Sequence, residues 1–286
     1  MSKVKIVSFS TTKEDKGFVN FYPHLVRLYR SAKKFGYNDF SFWNREKIKK
    51  TDFYKENKEI LDQKRGAGYW LWKPYIILEE LKKIKDEDFL VYADSANYFI
   101  NDIKPLLELT KKNNGFYFEE QRFEDRKLKH WTKRDCFYYM DADNKEFYNT
   151  YIRQASFIIL QKNKVTINFI KEWLIFATNK HIISDIDNTC GLDNLIQFKD
   201  HRHDQSIFSI LAHKHKILGF RPPTQWGNNF KLEKYKKPDE FINANYNIDY
   251  SLYLESDYDT LLYHNKEIRL IHKLYALIIN VDKLIK

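Results

Sequence analysis

The chain has 286 residues, 43% of them hydrophobic and 31% charged, a composition that describes a folded protein with a sizeable core and excludes a disordered one. Eight glycines and six prolines exclude collagen-like architecture, two cysteines exclude a disulfide framework or a four-thiolate zinc site, and no run reaches the roughly 18 apolar residues of a membrane span. Forty-nine Lys and Arg against 39 Asp and Glu give +10, and 20 Tyr with 22 Phe supply rings that stack on bases or sugars, so anionic partners are favoured.

The opening MSKVKIVSFS lacks a secretory signal pattern, which predicts a cytoplasmic chain. No period of 20 to 50 residues repeats, so solenoids and propellers are excluded. The β-branched run from Val4 to Ser10 predicts a first strand that ends in a polar loop. Leu25, Val26, Leu28, Tyr29 and Ala32 form one helical face, closed by Gly36, and Phe40 to Trp43 reads as a second strand. PYIILEELKKI predicts a helix with Pro74 in its first turn, and Phe89 to Ala93 a buried strand that stops at Asp94. Further strands are predicted over 116–118 and 156–160, and further helices over 168–178 and 205–215. From Pro222 to about Asp259 the pattern becomes a loop rich in Pro, Asn and Tyr. Alternating strands and helices predict an α/β fold: a single Rossmann-like domain over 1–286, with a mostly parallel sheet flanked by helices and ligands at the carboxyl ends of its strands.

Three clusters can carry chemistry. In Lys64 to Pro74, Gly66 and Gly68 lie among cations and aromatics just before a helix. Either their backbone meets a phosphate, with Arg65 or Lys73 matching its charge, or the segment is a turn whose Trp70 and Trp72 plug the core. Asp94-Ser95-Ala96-Asn97 puts a carboxylate directly after a buried strand, where α/β enzymes place metal and substrate ligands; Asp-Ser is also a routine turn start. His201-Arg202-His203-Asp204-Gln205 gathers polar side chains at a helix start, where Asp200 or Asp204 can also serve as a cap. A literal Asp-x-Asp at Asp141-Ala142-Asp143 is read as solvated loop, because Lys133-Arg134-Asp135 starts a helix that ends there.

Taken in order, RGAGYWLWKPYIILEEL…FLVYADSANYF, HWTKRDCF and HRHDQSIFSIL resemble a family of nucleotide-sugar-dependent glycosyltransferases with the GT-A fold, over roughly residues 1 to 220. The resemblance implies a hexosyltransferase-type enzyme. It would move a sugar from a nucleoside diphosphate, UDP by default, to a hydroxyl of a glycan, glycolipid or protein acceptor. It makes 1–110 mainly the nucleotide-binding half and 111–286 mainly the acceptor side and C-terminal helix. Ser8 to Thr11 would face base and ribose, and Lys73 with Arg65 the donor sugar or diphosphate. Asp94 and Ser95 would bind donor, and His203 and Gln205 would lie beside Asp204 near the anomeric carbon, with Asp204 the first candidate for a base. A divalent metal, Mn²⁺ or Mg²⁺, is implied at Asp94. The sequence departs from the family here, since Ala96 replaces the second Asp of the usual D-x-D, so the second ligand falls to another residue such as His272.

Two other readings compete. A nucleic-acid-binding protein accounts for +10 and the aromatics, but the cations are dispersed and no recognised motif is present, so no nucleic acid is expected. A catalytically inactive sugar-nucleotide-binding relative accounts for Ala96. Lys266 to Lys286 predicts a basic amphipathic helix, read as a closing helix that packs its apolar stripe on the core and brings His272 towards the diphosphate. Its alternative is peripheral contact with an anionic membrane.

Overall fold

A computed structural model describes residues 2–227, 249–253 and 256–279. Most of the loop expected after Pro222 lies outside the described residues. The strands are β1 (Val4–Phe9), β2 (Asp39–Trp43), β3 (Phe89–Ala93), β4 (Asn97–Phe99), β5 (Phe116–Glu120), β6 (Arg153–Gln161), β7 (Gly219–Phe220) and β8 (Leu262–His264). Six of them form one sheet in the order β2-β1-β3-β6-β5-β7, while β4 and β8 pair separately. β1 is parallel to β2 and β3, β5 is parallel to β7, and β6 opposes both β3 and β5. The sheet is therefore mixed but mostly parallel, as expected, with β6 the one reversed strand.

Alternation along each strand divides the core into two layers. Val7, Leu90, Tyr92, Phe118, Ile158 and Leu160 face one side, with helices α2 (Trp72–Lys83), α4 (Lys164–Ala177) and α5 (Asp204–Lys214). Ile6, Phe89, Val91, Tyr117, Phe157 and Ile159 face the other, with α1 (Tyr22–Lys34) and α3 (Lys104–Lys112). The capping box of Asn163 and Thr166 starts α4, each side chain accepting a hydrogen bond from the other residue's backbone N–H.

The C-terminal helix α6 (Leu270–Ile278) corrects the expectation of a buried stripe. It lies against α1, and Tyr275, Ala276 and Ile279 are the residues packed on the core. Leu270, Ile271, Leu274, Leu277 and Ile278 are instead between 47% and 82% exposed. The helical period was right. The face that docks is set by α1, where Arg30 lies over the Tyr275 ring and the Tyr22 hydroxyl donates to the Ile279 carbonyl at 2.9 Å. No helix among the described residues is long and apolar enough to cross a membrane.

Candidate active site

The carboxyl edge of the sheet gathers polar residues because β1, β3 and β5 end there and the reversed β6 begins there. Asp94 follows β3 directly, its N–H donating to the Ser156 carbonyl at 2.8 Å. Asn97 is tied to the same carbonyl through Nδ2 at 2.9 Å. The first residues of β6 thus fix the loop that carries Asp94.

The turn before α2 delivers Lys73. Gly66 and Gly68 hold φ of +58° and +102°, and a Cβ on Gly68 would stand 2.6 Å from the Leu61 Cα. The Trp72 indole donates to the Gly66 carbonyl at 3.0 Å and its ring stacks on Phe9 at 3.8 Å. The core-plugging reading of this segment therefore holds for Trp72. Its consequence is to bury Lys73 under the sheet edge, 3% exposed.

There Lys73 meets two carboxylates. Its Nζ lies 3.0 Å from Asp204 Oδ2 and 3.7 Å from Asp94 Oδ1, and donates to the Ala155 carbonyl at 3.0 Å. The Asp204 side chain is 4% exposed and that of Asp94 31%. Asp94 is thus the member of the trio that solvent and small molecules can reach. Asp204 is anchored through its backbone, which accepts from the Trp173 indole at 3.0 Å. Burial pushes the Asp204 carboxyl up to about 6 although Lys73 pulls the other way, and the Asp94 charge adds to the rise. The two carboxylates in turn hold the Lys73 ammonium above its ordinary range against the burial that would lower it. The Tyr92 hydroxyl donates to Asp94 Oδ1, and burial keeps that phenol protonated.

Beside this trio opens a cleft of about 360 Å³, lined by Asn97, Glu119, Gln154, Ser156, Gln205 and His264 among others. Arg126, Arg202 and Lys266 give its wall positive charge. Glu119 is 2% exposed, its Oε1 has no hydrogen-bond partner, and it makes no ion pair among the described residues. Burial first, then the Asp94 charge, push its carboxyl well above the ordinary carboxylate range. Its neighbour Glu120 has Arg153 and Arg122 as partners. Strand alternation puts these two successive residues on opposite faces, just past the register shift between Phe118 and Glu119.

Other expected residues are placed as follows. Ser8 and Thr11 are buried at the end of β1, Ser8 Oγ without a partner and Thr11 Oγ1 donating to the Val19 carbonyl at 2.5 Å. Ser95 is buried. Arg65 is engaged by Asp200 and Asp185, at 2.7 and 3.1 Å, and clamps the glycine turn to the segment before α5. His203 has φ +50°, stacks on Tyr69 at 4.9 Å and bonds the Ile183 carbonyl through Nδ1 at 2.7 Å. Burial lowers it to about 4. Gln205, one position after Asp204, is the residue of that helix start which lines the cleft. Asp143 is bound to Arg134 at 2.7 Å and to the Tyr148 hydroxyl at 2.6 Å in the expected loop.

His272 is not brought to Asp94; it lines another cleft, among Arg27, Arg30 and Arg269. The residues at Asp94 make a poor resident site for a divalent cation. Asp94 is the accessible carboxylate, the Lys73 ammonium stands 3.7 Å from it, Tyr92 occupies one of its oxygens, Asp204 is taken up by Lys73, and Ala96 offers a methyl where a second carboxylate was expected. Among the described residues no group of three or more His, Cys, Asp and Glu is arranged to hold a metal.

Glu119 and Gln154 went unnoticed in the sequence, while Asn97 stood in the cluster after Ala93 without a role of its own. For Glu119 a signal existed, since Phe116 to Phe118 is an apolar run ending in a carboxylate, as Phe89 to Ala93 is before Asp94.

The fold is shared with a solved structure. The apo WbbM bifunctional glycosyltransferase matches with a TM-score of 0.52 and 13% identity, over 94% of this chain and 46% of that one. The fold is GT-A-like. This chain spans about half of that longer protein. Apo mouse xyloside xylosyltransferase 1 matches with a TM-score of 0.46 and 10% identity, over 93% and 100% of the two chains. A glycosyltransferase involved in glycosylating the major capsid of PBCV-1 matches with 0.44 and 11%, over 96% and 99%. No family model and no curated protein sequence matches this GT-A-like chain.

Proposed function

We propose that this chain is a glycosyltransferase that moves a sugar from a nucleoside-diphosphate donor, with UDP as the base carried by default, to an acceptor hydroxyl. The observation that carries the reading is the buried Lys73 held between Asp204 and Asp94 at the carboxyl edge of a GT-A-like sheet, beside a cleft lined by amide and other hydrogen-bonding groups with cations on its wall. Sugar hydroxyls are matched by hydrogen-bonding groups: Asn97, Gln154, Gln205 and Glu119 would bind them. Lys266, Arg202 and Arg126 would meet the diphosphate and offset the charge that builds on it as the glycosidic bond to phosphate breaks. Asp94, the exposed carboxylate, would contact the donor, while Asp204 acts through Lys73 to fix its position. Transfer to a hydroxyl then needs little beyond charge neutralisation and alignment of the acceptor.

The test is a thermal-shift panel of UDP-, GDP- and CDP-sugars, followed by assay of nucleoside diphosphate release with a hydroxyl acceptor. A true donor at a hundredfold excess over Kd stabilises by about 2.7 kcal/mol, which is readily seen. Absence of both a shift and release across the panel would remove the transferase reading.

A further inference from the structure

A second cleft, of about 1130 Å³, runs between α1, the β4–β8 pair and α6. Arg27, Arg30, Lys34, Arg269 and His272 line it, against a single lining carboxylate, Glu267. Among the described residues Arg30, Lys34 and Arg269 make no ion pair. The Arg30 guanidinium lies 3.4 Å above the Tyr275 ring, and its Nη1 is buried without a hydrogen-bond partner. Arg27 is 7% exposed; its terminal nitrogens donate to the Ala96, Asn265 and Glu267 carbonyls, and its Nε is buried and unpartnered. His272 Nδ1 is unpartnered as well. Burial first, then Arg27, Arg30, Arg269 and His24, hold the His272 imidazole below its ordinary range. Cations gathered in a concave site with a single carboxylate among them repel one another, and an anion relieves that repulsion.

The outer face of α6 supplies the second observation. Leu270, Ile271, Leu274, Leu277 and Ile278 are exposed on the helix whose Arg269 and His272 line the cleft. A soluble phosphate needs the cations but has no use for five exposed aliphatic side chains, whereas a phospholipid surface uses both. We propose that this cleft binds the phosphate of an anionic lipid headgroup at a bilayer surface, with the aliphatic face of α6 entering the headgroup boundary. The proposal does not depend on the transferase reading.

Sedimentation of the full chain with vesicles tests it. Phosphatidylcholine vesicles containing phosphatidylglycerol should carry the protein down, less at high salt, and pure phosphatidylcholine should not. Arg30→Glu with Arg269→Glu should weaken this binding by roughly tenfold or more. Because Arg30 packs on Tyr275, Arg269→Glu alone, at an exposed position, serves where the double variant melts early, and it should weaken binding in the same direction. Leu270→Ser with Leu274→Ser and Leu277→Ser should abolish sedimentation while the melting temperature stays unchanged. Equal sedimentation with both vesicle types overturns the headgroup site. So does undiminished binding by Arg269→Glu. Stabilisation by inorganic phosphate without any vesicle binding would show a soluble-anion site instead and overturn the lipid assignment.

Discussion

Lys73 is where residue chemistry decides most. It is the one cation placed between Asp204 and Asp94, so Lys73→Met leaves Asp204 buried and unpaired. The expected cost is about 3–5 kcal/mol in denaturant unfolding, and Lys73→Met combined with Asp204→Leu should recover a large part of it. Asp94→Asn changes charge but little volume at a partly exposed position, and should abolish transfer while the melt stays cooperative. Asp141→Asn with Asp143→Asn serves as its control, since that loop carries only the Arg134 and Tyr148 contacts, and activity should stay within a few-fold of wild type. Asp204 adds a pH signature. Its folded value of about 6 stands above the ordinary 3.8, so the fold holds this proton more tightly than the unfolded chain does. That contribution to stability is fully present below 3.8 and is lost as pH rises through about 6. Asp204→Asn should therefore flatten the stability profile between those values; a profile parallel to wild type would contradict the assignment. In kinetics the same variant should lower kcat far more than donor affinity.

At the level of elements, the glycine turn before α2 and the helix α6 behave in opposite ways. The turn is constrained by close approach as well as by dihedral angle. Gly68→Ala places a Cβ 2.6 Å from backbone at positive φ and should cost about 2–4 kcal/mol, because neither partner can move without shifting Lys73. Gly17→Ala, also at positive φ but with nothing within 4 Å, should cost only about 1 kcal/mol, and comparing the two melts separates crowding from conformation. In α6 the apolar period is unmistakable in sequence, yet the aromatic contact with α1 fixes its rotation and leaves five aliphatic side chains outside.

For the whole molecule, the reversed strand β6 is the feature on which the site depends. It brings Ser156 beside Asp94 and Gln154 opposite Glu119, although these pairs lie far apart in the chain. The resulting edge offers hydrogen-bonding groups and a cationic wall, with a single accessible carboxylate at the trio. Mn²⁺ alone, without nucleotide, is accordingly expected to leave the melting temperature unchanged. A rise of several degrees with Mn²⁺ alone would mean that the protein supplies a ligand set of its own.

How far the sequence reached follows from the range of the forces involved. Local pattern was enough for the main strands and helices: Phe89 to Ala93 is a strand end to end, the face from Leu25 to Ala32 lies inside the helix over 22–34, and the helix over 204–214 lies within a residue of its predicted limits. Strand and helix periodicity is a near-neighbour property, set by which side chains must leave water together. The same holds for Asp94, Lys73 and Asp204, which local motifs singled out before any geometry was known. Their mutual contact, the burial that raises Asp204, the orphaned acid at Glu119 and the diversion of His272 into a cationic cleft are not local. Each arises from a pairing across dozens of residues or more, in which desolvation and unbalanced charge depend on what the fold places opposite. The sequence by itself determined the α/β alternation and the residues able to act. The tertiary structure alone decided which of them share a low-dielectric space, because only packing removes the water that would otherwise screen them from one another.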